Sequence, residues 1–138
     1  MSDGLLSPSR WTGTTSYLSE AGVSFAISGP VGAVLDSALD GIAQRQRVIA
    51  DNVANVDTPG YRAVSVDFET SLRAAINSGD FSADLQPALL ATDTPVGANG
   101  NNVDLRKETM AAVQTQFQYQ IMTRATTDRF DLMKTVAQ

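Results

Sequence analysis

One apolar stripe constrains this chain more than any other feature in it. Leu35, Leu39, Ile42, Gln46, Ile49, Val53 and Val56 recur at intervals that alternate between four and three residues. That spacing puts them on one face of a helix and shapes the face to lie against a second helix. Only Gln46 breaks the apolar run. The stripe stops at Val56-Asp57-Thr58-Pro59-Gly60-Tyr61, where Pro59 disfavours helical geometry at Thr58 and Gly60 supplies the positive φ of the third position of a type II turn. The spacing therefore predicts a helix over 33–56, with Pro30 suited to its first position. Asn52 and Asn55 share a face of its last turn. Either can satisfy terminal carbonyls, and Asn55 tolerates a left-handed cap.

A second long helix is predicted over 104–138, with Asp104 as its N-terminal cap. Met110, Val113, Phe117, Ile121, Ala125, Leu132 and Val136 give it an apolar face, interrupted by the polar stretch from Thr123 to Arg129. The helix is long, but its pattern does not follow a strict two-stranded heptad. Val113, Phe117 and Ile121 are the residues expected to pack on the Leu35 to Val56 face. The fold class is accordingly mainly α, with the two long helices antiparallel in a coiled-coil-like hairpin. Between them, over 57–103, lie the turn, a brief extended piece at Val64 and Val66, and a short helix from Asp67 to Asn77. Phe68, Leu72 and Ile76 form that helix's stripe, Ser65 or Asp67 its cap and Gly79 its stop. Residues 79–102 carry Pro87, Pro95 and three glycines, with Leu85, Leu89 and Leu90 as apolar anchors. They read as a long irregular loop, because no alternating strand flanks the Asn99-Gly100 pair.

With 138 residues, the chain is one domain's worth. It divides into an N-terminal extension, 1–32, and a single helical domain, 33–138. The extension is rich in Ser, Thr and Gly and reads as a flexible tail, or as an arm ordered on a partner through Trp11, Tyr17, Leu18 and Phe25. It lacks the basic start and continuous apolar core of a cleavable signal peptide, and no segment is apolar for long enough to span a bilayer. Ten basic residues against fifteen acidic, net -5, with no basic stripe, argue against nucleic acid. Without cysteine or histidine, thiol chemistry, histidine catalysis and the usual zinc sites are excluded.

Ala50-Asp51-Asn52-Val53-Ala54-Asn55-Val56-Asp57-Thr58-Pro59-Gly60-Tyr61 resembles the N-terminal signature of the bacterial flagellar axial proteins, an amphipathic helix ending in a run of the type A-N-N-I-A-N-x-x-T-P-G-Y. Gly100-Asn101-Asn102-Val103-Asp104-Leu105-Arg106-Lys107-Glu108, followed by a helix with Gln118-Tyr119-Gln120, is similar to the matching stretch of the B-type proximal rod subunits. Together the two cover most of 33–138. The resemblance implies a structural subunit of the proximal rod of the basal body, exported by the flagellar type III apparatus without a cleavable signal. Its partners would be other rod subunits, further copies of itself, and membrane-ring and export-apparatus proteins, with no small-molecule substrate. Asn52, Asn55, Thr58, Pro59, Gly60 and Tyr61 would be its motif and subunit-contact residues. A C-type proximal rod subunit and a helical adaptor or export chaperone are the competing readings.

Chemistry finds little support in the residues. Asp51 and Asp57 near the two asparagines fall on an exposed helix end rather than in a cleft. Asn99, Asn101, Asn102 and Asp104 lack the ordered spacing and distal glutamate of a calcium loop. No catalytic residue, cofactor or metal is expected.

Overall fold

The structure, a computed structural model, describes residues 29–81 and 85–137; the arm-or-tail expectation for the extension falls on residues outside these, apart from the helix start at its end. The described elements run α1 (Pro30–Ala54), β1 (Val64–Asp67), α2 (Glu69–Ser78), β2 (Ala88–Ala91) and α3 (Leu105–Ala137). The protein is mainly helical, and α1 and α3 pack against each other as a hairpin. At 1.5 Å per residue, α3 is about 50 Å long.

The chain ends of the helices follow the local chemistry. Gly29 is the N-cap of α1 and Pro30 its first residue. Asp67 accepts hydrogen bonds from Thr70 N (3.1 Å) and Thr70 Oγ1 (2.7 Å), fastening the start of α2, and Gly79 ends that helix at φ 72°. The Asp104 carboxylate accepts from the amides of Arg106 (3.0 Å) and Lys107 (3.2 Å) at the head of α3. These are the groups an α-helix leaves without internal partners.

The core is small. Ala38, Ile42, Val66 and Phe68 are buried together, with Val48, Leu72 and Met122 packed against them. Gly41 lets the Phe68 ring lie directly on the α1 backbone: a Cβ there would fall 2.7 Å from Phe68 Cβ and Cδ1. On the ring's face sits the Arg45 guanidinium, 4.6 Å from the centroid.

Two expectations about the faces are corrected. The buried seam of α1 runs through Ala38, Ile42, Arg45, Ile49 and Asn52, rotated by about one residue from the apolar stripe; Ile42 and Ile49 are in it, Leu35, Leu39 and Val56 are half-buried, and Gln46 and Val53 face outward. The cause is polar: Arg45 and Asn52 turn inward because their partners lie on β1, α2 and α3. On α3, Val113, Phe117 and Ile121 do not pack on α1 but are 52%, 61% and 63% exposed. The face turned to α1 carries Glu108, Ala111, Thr115, Gln118, Met122 and Thr126. Thr115, only 1% exposed, donates its hydroxyl to Ala111 O at 2.6 Å, and Thr126 does the same to Met122 O at 2.9 Å. With the hydroxyls satisfied inside their own helix, neither threonine brings an unpaired polar group to the contact.

The middle of the chain is more regular than a loop. β2 pairs antiparallel with β1, with Val64 opposite Ala91 and Asp67 opposite Ala88. Leu89 and Leu90 are not anchors; they are 57% and 47% exposed. The strand is held by main-chain hydrogen bonds to β1, so it needs no alternation of apolar residues, and the sequence shows none.

Candidate functional site

The end of α1 and the start of α3 are knotted together by side-chain amides. Thr58, Pro59, Gly60 and Tyr61 form the expected type II turn, with Tyr61 N donating to Thr58 O at 3.2 Å and Gly60 at φ 75°. Asn55 caps α1 at φ -106°, not in the left-handed region, and its Nδ2 donates to Asp51 O at 2.8 Å. Thr58 Oγ1 donates to Asn55 Oδ1 at 3.0 Å. The exposed turn residues Thr58, Pro59 and Gly60 thus have their conformation set from beneath.

The segment before α3 grips this turn. Asn101, 7% exposed, donates from Nδ2 to both Asn55 O and Thr58 O at 2.8 Å. Its Oδ1 accepts from Val103 N at 2.8 Å. Gly60 N donates to Asn99 O at 2.9 Å, and Asn102 N to Tyr61 O at 3.3 Å. Asn102 Oδ1 accepts from Ala63 N at 2.6 Å. Gly100, at φ 79°, comes so close that a Cβ would lie 3.2 Å from Gly60 Cα.

Asn52 is the centre of the knot. Its Nδ2 donates to Val64 O (2.8 Å) and Glu108 Oε1 (3.1 Å), while its Oδ1 accepts from Tyr61 OH (3.1 Å) and Val64 N (3.3 Å). The side chain pairs with both backbone groups of Val64, as a neighbouring strand would, and all four of its hydrogen-bonding positions are used. Glu108 is 6% exposed. Burial pushes its carboxyl above the usual range, against the opposing pull of the Asn52 hydrogen bond and the Lys107 charge. Burial and the negative charges of Asp51 and Glu108 likewise raise the Tyr61 phenol.

A second tie lies farther along the hairpin. Arg45 donates to Gln118 Oε1 (3.0 Å), Val66 O (2.8 Å) and Glu69 Oε2 (2.6 Å), joining α1 to α3, β1 and α2. The expected motif residues Asn52, Asn55, Thr58, Gly60 and Tyr61 are therefore brought together. Asn101, Asn102, Glu108 and Arg45 complete the arrangement, although neither apolar periodicity nor motif spacing marks any of them for it. A usable signal was present: Glu108, Thr115 and Met122 are seven apart, a polar and small-residue seam beside the apolar one.

Hydrogen bonds here fix shape; the geometry defines a structural hairpin subunit tied at its turn end. Residues 34–62 match the family model described as flagella basal body rod protein. The flagellar basal body rod protein FlgB of Bacillus subtilis is 38% identical over 114 residues, 74% of this chain and 88% of its own length. FlgB of Borreliella burgdorferi is 33% identical over 106 residues, 62% and 78% of the two chains, and that of Escherichia coli K12 is 31% identical over 116 residues, 70% and 84%. The chain belongs to the FlgB family of flagellar basal body rod proteins.

Proposed function

We infer that this chain is a structural subunit of the proximal rod of the bacterial flagellar basal body, where it helps carry torque from the membrane ring to the hook. One observation supports this above others: the hairpin is fixed from within by hydrogen bonds, while Met110, Val113, Phe117 and Ile121 stand 52–63% exposed on α3. A frame that keeps a row of large apolar side chains outside is suited to association. Its role is assembly and not catalysis, and it uses no cofactor. Its partners are other rod subunits, together with ring and export-apparatus proteins, and it reaches them through the flagellar type III apparatus. Among the described residues, no helix is long and apolar enough to cross a membrane.

Deleting the gene and restoring it tests the reading. The deletion strain should lose swimming and assemble no hook beyond the membrane ring, and the restored chain should copurify with basal bodies. Complete flagella in the deletion strain would refute it.

A further inference from the structure

The open end of the hairpin, opposite the knot, carries a groove between the two long helices. Gly32, Leu35 and Asp36 line it from the first turns of α1, and Thr126, Arg129, Phe130 and Met133 from the last turns of α3. Its volume is about 120 Å³. A cavity of about 150 Å³ accepts a benzene ring, so the groove has room for one large apolar side chain. It does not suit a partner helix, which docks through several anchors spread over two or more turns. Asp36 and Arg129 bring one charge of each sign, and the rest of the lining is chiefly apolar. Phe130 is 50% exposed, and Leu35 and Met133 are half-buried. Leu35 belongs to the apolar stripe of α1 but not to the seam that meets α3, so its outer side is left for another cover.

Residues 1–28 lie outside the described residues and join them at Gly29, the N-cap of α1. Their last stretch, Val23-Ser24-Phe25-Ala26-Ile27, alternates large apolar with small side chains, and no charged residue stands between Glu20 and Asp36. An extended segment of this pattern turns Val23, Phe25 and Ile27 to one side. Length then distinguishes among the three. The middle of the groove lies about 8 Å along α1 from Gly29. At about 3.3 Å per residue, with one residue given to the reversal, Ile27 reaches back about 3 Å, Phe25 about 10 Å and Val23 about 17 Å. Only Phe25 comes level with the groove. Trp11, Tyr17 and Leu18 stand at least eleven residues before Gly29, and the longer loops they would close cost more entropy.

We propose that the groove is occupied by Phe25 of the same chain, the segment before α1 folding back along that helix. Three residues, Ala26 to Ser28, tether the ring to Gly29, which gives it an effective concentration that a second copy or a free partner does not match. Ring, Leu35, Phe130 and Met133 then share one apolar contact. The hairpin is fastened at both ends, by side-chain amides at the turn and by an aromatic plug at the opening. The proposal does not depend on the rod reading.

NMR on the purified full-length chain tests it. NOEs are expected from the Phe25 ring protons to the methyl groups of Leu35 and Met133, and in a mixture of labelled and unlabelled chains they should arise within one chain. Phe25→Ala should speed hydrogen exchange of the amides of residues 132–135 about tenfold, as removal of a partly buried ring requires. Phe25→Leu should recover part of the protection, and Trp11→Ala should leave these amides unchanged. Absence of both NOEs, or unaltered exchange in Phe25→Ala, overturns the proposal. NOEs seen only between labelled and unlabelled chains overturn it in favour of a second copy. Equal acceleration by Trp11→Ala overturns it in favour of another part of the extension. None of these outcomes bears on the rod reading, which the deletion strain tests separately.

Discussion

Gly41→Ala sets two effects of opposite sign against each other, and their sizes decide the outcome. In a helix interior, alanine is favoured over glycine by about 1 kcal/mol. At this position, however, the new Cβ would fall 2.7 Å from Phe68 Cβ and Cδ1, a distance that requires the ring to move. Phe68 is 8% exposed, with Arg45 over its face, and β1 and α2 adjoin it on either side in sequence. Displacing it forfeits much of its burial, about 2 kcal/mol, together with a cation–π contact of about 1 kcal/mol. The net destabilisation is about 2 kcal/mol. In a domain of this size that lowers Tm by about 10 °C. Thermal melts followed by circular dichroism measure it, with Gly41→Ala/Phe68→Leu as a partner that returns part of the loss. A Gly41→Ala melt at or above the parent temperature would refute the packing argument, since it would mean that helix propensity outweighs the ring contact.

Asn52→Ala removes four hydrogen bonds at a residue that is 1% exposed; urea midpoints should show a loss of about 3 kcal/mol. Because burial raises the folded-state Glu108 carboxyl above its unfolded value, its contribution is most favourable at low pH and is lost as pH rises through the folded value. Glu108→Gln should therefore gain stability relative to the parent between acidic and neutral pH, and a constant difference across a pH series of urea midpoints would contradict this. Asn101→Ala frees the carbonyls of Asn55 and Thr58 and should speed hydrogen exchange in the turn while leaving the middle of α3 protected. At Gly60, φ is 75° with nothing within 4 Å of an added Cβ, so Gly60→Val suffers from backbone strain of about 1–3 kcal/mol and not from a clash. It should be exported yet fail to restore swimming in the deletion strain, whereas wild-type swimming would refute a role for the turn in packing.

Element boundaries were largely legible because local chemistry writes them: Pro30, Pro59, Gly60, Gly79 and Asp104 act within one turn of where they stand. Helix faces were less so. Periodicity reports where apolar residues fall, and in this chain the strongest apolar stripe of α3 lies outside, while threonine, glutamine and a buried glutamate line the inside. A sequence meant for association has two faces to cover, and spacing does not say which is covered first. β2 was hidden for another reason: its pairing with β1 is carried by main-chain bonds that any residue except proline can make. The knot itself was half visible. Its α1 half forms a compact run, but Asn101 and Asn102 act across more than 35 residues of chain on Asn55, Thr58 and Ala63.

The polar seam between α1 and α3 has a mechanical consequence. A purely greasy interface between two helices offers many nearly equivalent registers, and a pull along the axis can move one helix past the other in steps. Here the Arg45–Gln118 and Asn52–Glu108 bonds act as pegs at two heights on the hairpin. Slippage by one turn, about 5.4 Å, would break both bonds and leave a buried carboxylate without its donor. Load along the helices is thus borne in shear by hydrogen bonds as well as by packing, and the hairpin behaves as a keyed shaft rather than a sliding one.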